Sequence, residues 1–93
     1  MIKSFKNKET KRIFSGEFSK KFPQNIQQRA LNRLEMLNNA VNINDLRIPR
    51  SNHLEALSGD KQGQFSIKVN DQYRVCFEWV NNYAENVELV DYH

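Results

Sequence analysis

Five polar side chains in the second half of the chain are of types that act on phosphate esters: His53, Glu55, Lys68, Arg74 and Tyr92. Arginine binds phosphate oxygens through a fork of N–H donors and stays charged, whereas lysine supplies a point charge. Histidine titrates near neutral pH and can act as an acid or a base. RNA can be cleaved when a 2′-hydroxyl attacks the adjacent phosphate, which requires a base, an acid for the leaving oxygen and cations for the developing charge. This set could supply all three.

Period-two alternation of apolar and polar residues brings these side chains to one face of a sheet. Four segments are predicted as strands: residues 53–57, 64–69, 73–80 and 86–91. Where Val75 faces the core Arg74 does not, because successive side chains of a strand point to opposite faces. The short connections make neighbouring strands antiparallel. The face away from the core therefore carries the polar set.

The other face of the sheet is predicted to be apolar and covered by helices. A large apolar side chain contributes about 1.5–3 kcal/mol when it is buried, so this face is the main source of stability. Its predicted members are Leu54, Ala56, Phe65, Ile67, Val69, Val75, Phe77, Trp79, Val87 and Leu89.

The first half of the chain supplies the predicted helices. Residues 2–6 alternate like a short opening strand, and Asn7 is placed to cap a helix over residues 7–14 that stops at Gly16. Pro23 suits the first turn of a second, amphipathic helix. The side chains predicted to face inward are Phe18 and Phe22 from the linker and Ile26, Ala30, Leu31, Leu34, Leu37 and Val41 from the second helix. One more helical turn is predicted over residues 43–46. The fold class is therefore α+β, a small antiparallel sheet with two N-terminal helices on one face.

Length, charge and cysteine content narrow the class further. Ninety-three residues form a single domain (1–93), without an apolar run long enough to cross a membrane or act as a signal peptide. One cysteine, Cys76, cannot form an internal disulfide, so we expect a cytoplasmic protein. Two histidines at 53 and 93 give no metal-site spacing. Residues 1–50 hold 11 Lys and Arg against 4 Asp and Glu, a balance of +7, whereas residues 51–93 hold 3 against 7.

Each polar residue also has a purely structural interpretation. Arg74 could be a solvated residue paired with Glu88 or Glu78, and His53 could simply be exposed beside a loop. Tyr92 and His93 end the chain, where residues commonly fray. Cys76 is more typical of a buried small apolar residue than of a nucleophile.

The chain resembles the HigB toxins of the RelE/ParE superfamily over nearly its whole length. The resemblance is strongest over residues 51–93, and the opening residues 1–5 fit as well. Its most specific parts are the strands Ser66-Ile67 and Tyr73-Arg74-Val75-Cys76-Phe77 and the ending Asp91-Tyr92-His93.

The resemblance implies the toxin of a type II toxin–antitoxin pair, whose relatives are endoribonucleases that cut mRNA in the ribosomal A site. It implies a HigA-like helix-turn-helix antitoxin that neutralises the toxin and connects it to operator DNA. No cofactor or metal is implied. Arg74 would bind the scissile phosphate, and Asp91, Tyr92 and His93 would form the C-terminal part of the site. Lys68, Lys61 and Arg50 are the basic residues assigned to RNA binding.

The chain departs from this family at the residue expected to act as the base. Many relatives carry a histidine where this chain has Glu55, and the imidazole is instead at His53, two residues earlier and on the same face of a strand. Either His53 or Glu55 could therefore take the proton.

Two other functions are consistent with the residues, a gyrase poison of the ParE type and a non-catalytic module that binds nucleic acid or a protein partner. The basic first half could contact ribosomal RNA phosphates or an acidic segment of the antitoxin. Its candidates are Lys20, Lys21, Arg29, Arg33, Arg47 and Arg50.

Overall fold

A four-stranded antiparallel sheet forms the second half of the chain. The computed structural model describes residues 1–92, and Lys61 only by its backbone. The strands lie in chain order: β1 (Glu55–Ala56), β2 (Gln64–Lys68), β3 (Tyr73–Val80) and β4 (Tyr83–Asp91). Asn81 and Asn82 join β3 to β4 with φ values of 51° and 67°, as a two-residue hairpin turn with right-handed strand twist requires.

Two helices cover one face of the sheet. In α1 (Lys8–Phe14), the side chain of Asn7 accepts a hydrogen bond from the backbone N–H of Thr10 at 2.9 Å, which confirms the predicted cap. The longer α2 (Gln24–Asn39) begins directly after Pro23. Short 3₁₀ turns follow at Ile43–Arg47, Arg50–Asn52 and Gly59–Lys61. No helix within residues 1–92 is long and apolar enough to cross a membrane.

The predicted core is confirmed in its main parts. The helix-facing side chains of β2, β3 and β4 and of the turn after β2 are buried at Ile67, Val69, Val75, Phe77, Val87 and Leu89. They pack against Ile26, Ala30, Leu34 and Leu37 of α2. Leu54, Phe65 and Trp79 are partly buried at the border of this cluster, as is Leu31. The sequence period therefore identifies which face of each strand is covered.

The prediction that Phe18 packs inward is wrong, because this side chain is 55% exposed. The linker is held instead by Gln27, whose Oε1 accepts from the N–H of Ser19 and whose Nε2 donates to the Ser19 carbonyl at 2.6 Å. These bonds bring Ser19 inside and leave Phe18 outside, while Phe22 is buried as predicted.

Two further core assignments, Val41 and Ala56, are also wrong. α2 ends at Asn39, so the chain is already extended at Ala40, which is buried, and Val41 is 74% exposed. Ala56 is exposed because β1 is a two-residue edge strand with a partner on one side only.

Two predicted strands are shorter in the structure than in the sequence interpretation. Residues 2–6 run parallel to β4 through isolated bridges, Ile2 with Ala84 and Phe5 with Val87, and do not form a strand. Residues 53–57 are reduced to Glu55–Ala56, because His53 adopts a left-handed backbone with φ of 42°.

Candidate functional site

A polar hollow of about 330 Å³ lies where the end of β2, the start of β3 and the segment around β1 meet. It is lined by His53, Glu55, Lys68, Asn70, Asp71, Arg74 and Tyr92. The structure thus brings together the five side chains that alternation places on one face. The other two lining residues, Asn70 and Asp71, come from the turn between β2 and β3.

Arg74 is the most deeply buried charged side chain of this hollow, at 8% exposure. Its Nε donates to the hydroxyl of Ser66 at 2.8 Å, and its Nη2 donates to the carbonyls of His53 and Ser66. Nη1 lies 3.7 Å from the carboxylate of Glu55, beyond normal hydrogen-bond length. Hydrogen bonds therefore fix two of the three guanidinium nitrogens. The third, Nη1, forms a long ion pair with Glu55, and a ligand can take the place of this carboxylate.

The strand register explains why these groups meet. Lys68 of β2 is the direct partner of Arg74 of β3, and Ser66 is the direct partner of Glu55 of β1. Directly opposed residues of antiparallel strands share a face, with Cβ atoms about 4.5–5.5 Å apart. Three strands therefore deliver one side chain or more each to the same small area.

The two ends of the hollow are held by contacts outside the strands. Tyr92 follows β4, and its backbone N–H donates to the carbonyl of Gln72 at 2.6 Å, so that its ring centre lies 5.7 Å from the Arg74 guanidinium carbon. At the other end, the fully buried Asn52 donates from Nδ2 to the carbonyl of Leu46 at 3.1 Å. This bond anchors the segment that presents His53.

Lys68 is paired with Asp71 across the turn, with Nζ 3.0 Å from Oδ1. The hydrogen bond from Lys68, and then its charge, lower the pKa of the Asp71 carboxyl from its ordinary value of 3.8. Asp71 is fully exposed, so its pair with Lys68 is weak and salt-sensitive. The hollow thus holds two cations, each next to a carboxylate at its rim.

Two predicted site residues, Asp91 and Arg50, do not line the hollow. Asp91 lies outside the lining, and its Oδ2 accepts from Gln72 Nε2 at 3.1 Å. Arg50 is exposed on the 3₁₀ turn before β1. The side chain of Lys61 and the whole of His93 lie outside the described residues. Their assigned roles stay predictions.

The alternative prediction that Arg74 pairs with Glu88 or Glu78 is wrong. Arg74 pairs with Glu55, whereas Glu88 pairs with Lys6 at 3.8 Å and Glu78 accepts from Asn86 at 2.9 Å. Cys76 is buried, as its residue type suggested.

Sequence reasoning missed the contribution of Ser66, Asn70 and Asp71. Ser66 is completely buried and accepts a hydrogen bond from Arg74, and its alternation with Lys68 is the signal that could have placed it on this face. Asn70 and Asp71 lie in a turn, where period-two reasoning does not apply. Asn70 Oδ1 accepts from the N–H groups of Gln72 and Tyr73, an arrangement typical of turns.

The site offers both acid–base groups and cations. Among residues 1–92, no three His, Cys, Asp or Glu side chains cluster closely enough to hold a metal ion. An imidazole, a carboxylate, a phenol and a fixed guanidinium surround a space that can admit a phosphodiester.

Two helices on one face of a four-stranded antiparallel sheet, with a polar hollow on the other, are the architecture of a RelE-like toxin. The sequence model described as the RelE-like toxin HigB of type II toxin–antitoxin systems matches residues 3–93. The chain belongs to this HigB-like toxin family.

Curated relatives are similar along most or all of the chain. Toxin HigB-1 of Vibrio cholerae is 37% identical over 90 residues, which cover 96% of this chain and 95% of the relative. Endoribonuclease HigB of Proteus vulgaris is 33% identical over 93 residues and covers both chains completely. An uncharacterized protein of Haemophilus influenzae is 39% identical over 74 residues, 80% of this chain and 73% of the relative.

Proposed function

We propose that this toxin is an endoribonuclease that cleaves mRNA during translation, on the ribosome. Family membership makes it a toxin, and the similar protein of Proteus vulgaris is named an endoribonuclease. The observation that carries the proposal is the fixed guanidinium of Arg74 at the wall of a polar hollow that also contains His53, Glu55 and Tyr92.

In the proposed reaction, the RNA supplies its own nucleophile. The 2′-oxygen forms a bond to phosphorus while the bond from phosphorus to the 5′-oxygen breaks. A base takes the proton of the 2′-hydroxyl, and an acid gives a proton to the 5′-oxygen. The products are a 2′,3′-cyclic phosphate and a free 5′-hydroxyl, so atoms and charge balance without another reactant.

Arg74 is proposed to bind the non-bridging oxygens of the scissile phosphate. Its Nε and Nη2 already bind protein acceptors and fix the planar guanidinium, so Nη1 is the donor in place for the phosphate once the phosphate displaces Glu55. Such prearranged donors stabilise charge that develops in the transition state at no cost of reorientation. Lys68, the strand partner of Arg74, adds a second positive charge.

The base is proposed to be His53 or Glu55, which both line the hollow. The phosphate that displaces Glu55 from Arg74 would leave this carboxylate beside the reacting strand. Tyr92, Asp91 and His93 are proposed to serve the leaving oxygen and the orientation of the acid, and the Tyr92 ring also offers a surface for an unpaired base.

The family implies an antitoxin partner. We propose further that this partner is a HigA-like protein with a helix-turn-helix, that it joins the toxin to operator DNA, and that the toxin acts in the cytoplasm at the ribosomal A site. The net charge of +3, concentrated in the first half of the chain, favours contact with polyanions.

The decisive experiment maps RNA 5′ ends after brief induction of the wild type and of Arg74→Ala. We expect cuts in frame with codons in the wild type and a loss of about 10²–10³-fold in the variant, the usual cost of removing one prearranged donor. Arg12→Ala is the matched control, because it removes the same charge from α1, where Arg12 pairs with Glu9 and Glu17.

Arg74→Lys keeps the positive charge but loses the planar guanidinium. It replaces Arg74→Ala in this experiment if Arg74→Ala does not fold. Thermal unfolding shows which variants are folded. A folded Arg74 variant that cuts translated RNA like the wild type would contradict the proposal, as would cuts that occur equally in untranslated RNA.

A further inference from the structure

A second hollow, of about 280 Å³, adjoins the site of Arg74. It is lined by Arg29, Arg33, Ser51, His53, Lys68, Val69, Asn70 and Asp71. Four of these residues, His53, Lys68, Asn70 and Asp71, line the first hollow as well. The two hollows therefore adjoin each other, and we call the surface that leads from Arg74, past Lys68, to two arginines of α2 the groove.

The side chain of Arg33 is held in this groove by hydrogen bonds. Its Nε donates to the backbone carbonyl of Lys68 at 2.9 Å, across 35 residues of sequence, and its Nη2 reaches the hydroxyl of Ser51 at 3.5 Å. Nη1 contacts the sulfur of Met36 at 3.8 Å. These contacts use three of the five N–H donors of a guanidinium, so two remain for a ligand.

The charges of Arg29 and Arg33 are only weakly compensated nearby: after the hydrogen bond and the charge of Lys68, the charge of Arg29 also lowers the pKa of Asp71. Within the described part of the chain, no carboxylate lies within 4 Å of either guanidinium, and Asp71 is already paired with Lys68. Partial burial, and then the charge of Arg29, lower the pKa of Arg33. An anion placed between the two arginines would relieve this repulsion.

We propose that Arg29 and Arg33 form a second phosphate subsite, which binds a backbone phosphate of the same RNA strand next to the nucleotides held at Arg74. The inference rests on the proposed function and names how the substrate is held along the groove.

Arginine suits this role for a chemical reason. The planar guanidinium matches the geometry of phosphate oxygens. In Arg33 the hydrogen bond from Nε to the Lys68 carbonyl already orients this group. The same carbonyl belongs to the residue whose ammonium lines the first hollow. Binding at the second subsite would therefore fix the position of the strand relative to Lys68 and Arg74, as an enzyme with few acid–base groups needs.

The test is the binding of a 2′-O-methyl hexanucleotide, which cannot be cleaved, to the whole protein as a function of salt. Arg29→Ala and Arg33→Ala should each weaken binding about tenfold and lower the slope of log affinity against log salt by about 0.7. Arg12→Ala should leave both quantities unchanged. Arg29 is exposed, so Arg29→Ala remains informative if Arg33→Ala is unstable.

Three outcomes would overturn the inference. The hexanucleotide could fail to bind the wild type even at low salt, both variants could bind like Arg12→Ala, or both could lose affinity only for an oligoglutamate peptide, which would assign the arginines to an acidic protein segment. The proposed function is judged separately: if Arg74→Ala abolishes cleavage while both arginine variants behave like Arg12→Ala, only the second subsite is wrong. If Arg74→Ala cleaves like the wild type, the proposed function fails regardless.

Discussion

Both faces of the same sheet contain buried residues, but the two faces are built on different principles. On the helix side, Val75 and Phe77 are buried among apolar neighbours, and their side chains carry no hydrogen-bonding groups. On the opposite side, Ser66 and Arg74 are also buried, yet each is held by hydrogen bonds of defined geometry. Consecutive residues of β3 thus belong to two different kinds of interior.

The difference predicts how each face tolerates change. An apolar face depends on volume and hydrophobicity, so replacements of similar size cost little. A buried polar face depends on donors and acceptors, and the loss of one partner leaves another group unsatisfied. Substitutions on the first face should therefore change stability, and those on the second should change activity out of proportion to stability.

The largest expected effect is that of Phe77→Ala. Phe77 is the largest fully buried side chain and stacks with Phe65, so its removal should lower the free energy of unfolding by about 3–5 kcal/mol. Val80→Ala, at an exposed position of the same strand, is the control and should cost less than about 1 kcal/mol. Denaturant unfolding measures both. The rate of RNA cleavage per folded molecule should be unchanged, and a large loss of that rate would show that the two faces are not independent.

Compared with Phe77→Ala, we expect Ser66→Ala to have a smaller effect on stability and a larger effect on activity. The buried Nε of Arg74 loses its acceptor, which costs about 1–3 kcal/mol of unfolding free energy. Because the guanidinium is then less well oriented, cleavage should fall about tenfold or more, mainly in kcat. Ser66→Thr keeps the hydroxyl and should recover part of the rate. If Ser66→Ala cleaves RNA at the wild-type rate, the buried hydroxyl does not position Arg74.

The smallest expected effect concerns pH and the exposed pair of Asp71 with Lys68. The pKa of Asp71 is lower in the folded state than its ordinary value of 3.8, so the unfolded chain binds more protons near that pH. The pair therefore stabilises the protein above this range, and its contribution disappears as pH falls through the lowered pKa. Wild type should exceed Asp71→Asn slightly in Tm at pH 7 and equal it in acid. A gap that widens in acid would contradict the sign of the shift.

The fold was largely predictable because apolar residues recur at the short spacings of strands and helices. Alternation in residues 73–80 and the apolar stripe of α2 each identify a buried face without knowledge of the partner that covers it. The errors occur where the period ends. Val41 continues the stripe of α2 in sequence, but the helix stops at Asn39, and Phe18 lies in a linker whose course is set by hydrogen bonds from Gln27.

The candidate site was predictable for the side chains that alternation places on one face and not for the β2–β3 turn or for contacts from α2. Lys68, Arg74 and Tyr92 follow from alternation, whereas the contact between Arg33 and the Lys68 carbonyl joins a helix to a strand end across the fold. No local pattern encodes such a contact, because it depends on how α2 packs on the sheet. The choice between His53 and Glu55 also depends on backbone geometry that sequence alone does not provide.

His53 contributes to the hollow through both its backbone and its side chain, and its left-handed backbone allows the two contributions to be tested separately. Its carbonyl accepts from Arg74, and its ring lines the cavity. Glycine adopts such dihedral angles more easily than any side-chain-bearing residue. Exchange of His53 for glycine would thus delete the imidazole while preserving the main-chain acceptor, so that added free imidazole could report on proton transfer alone.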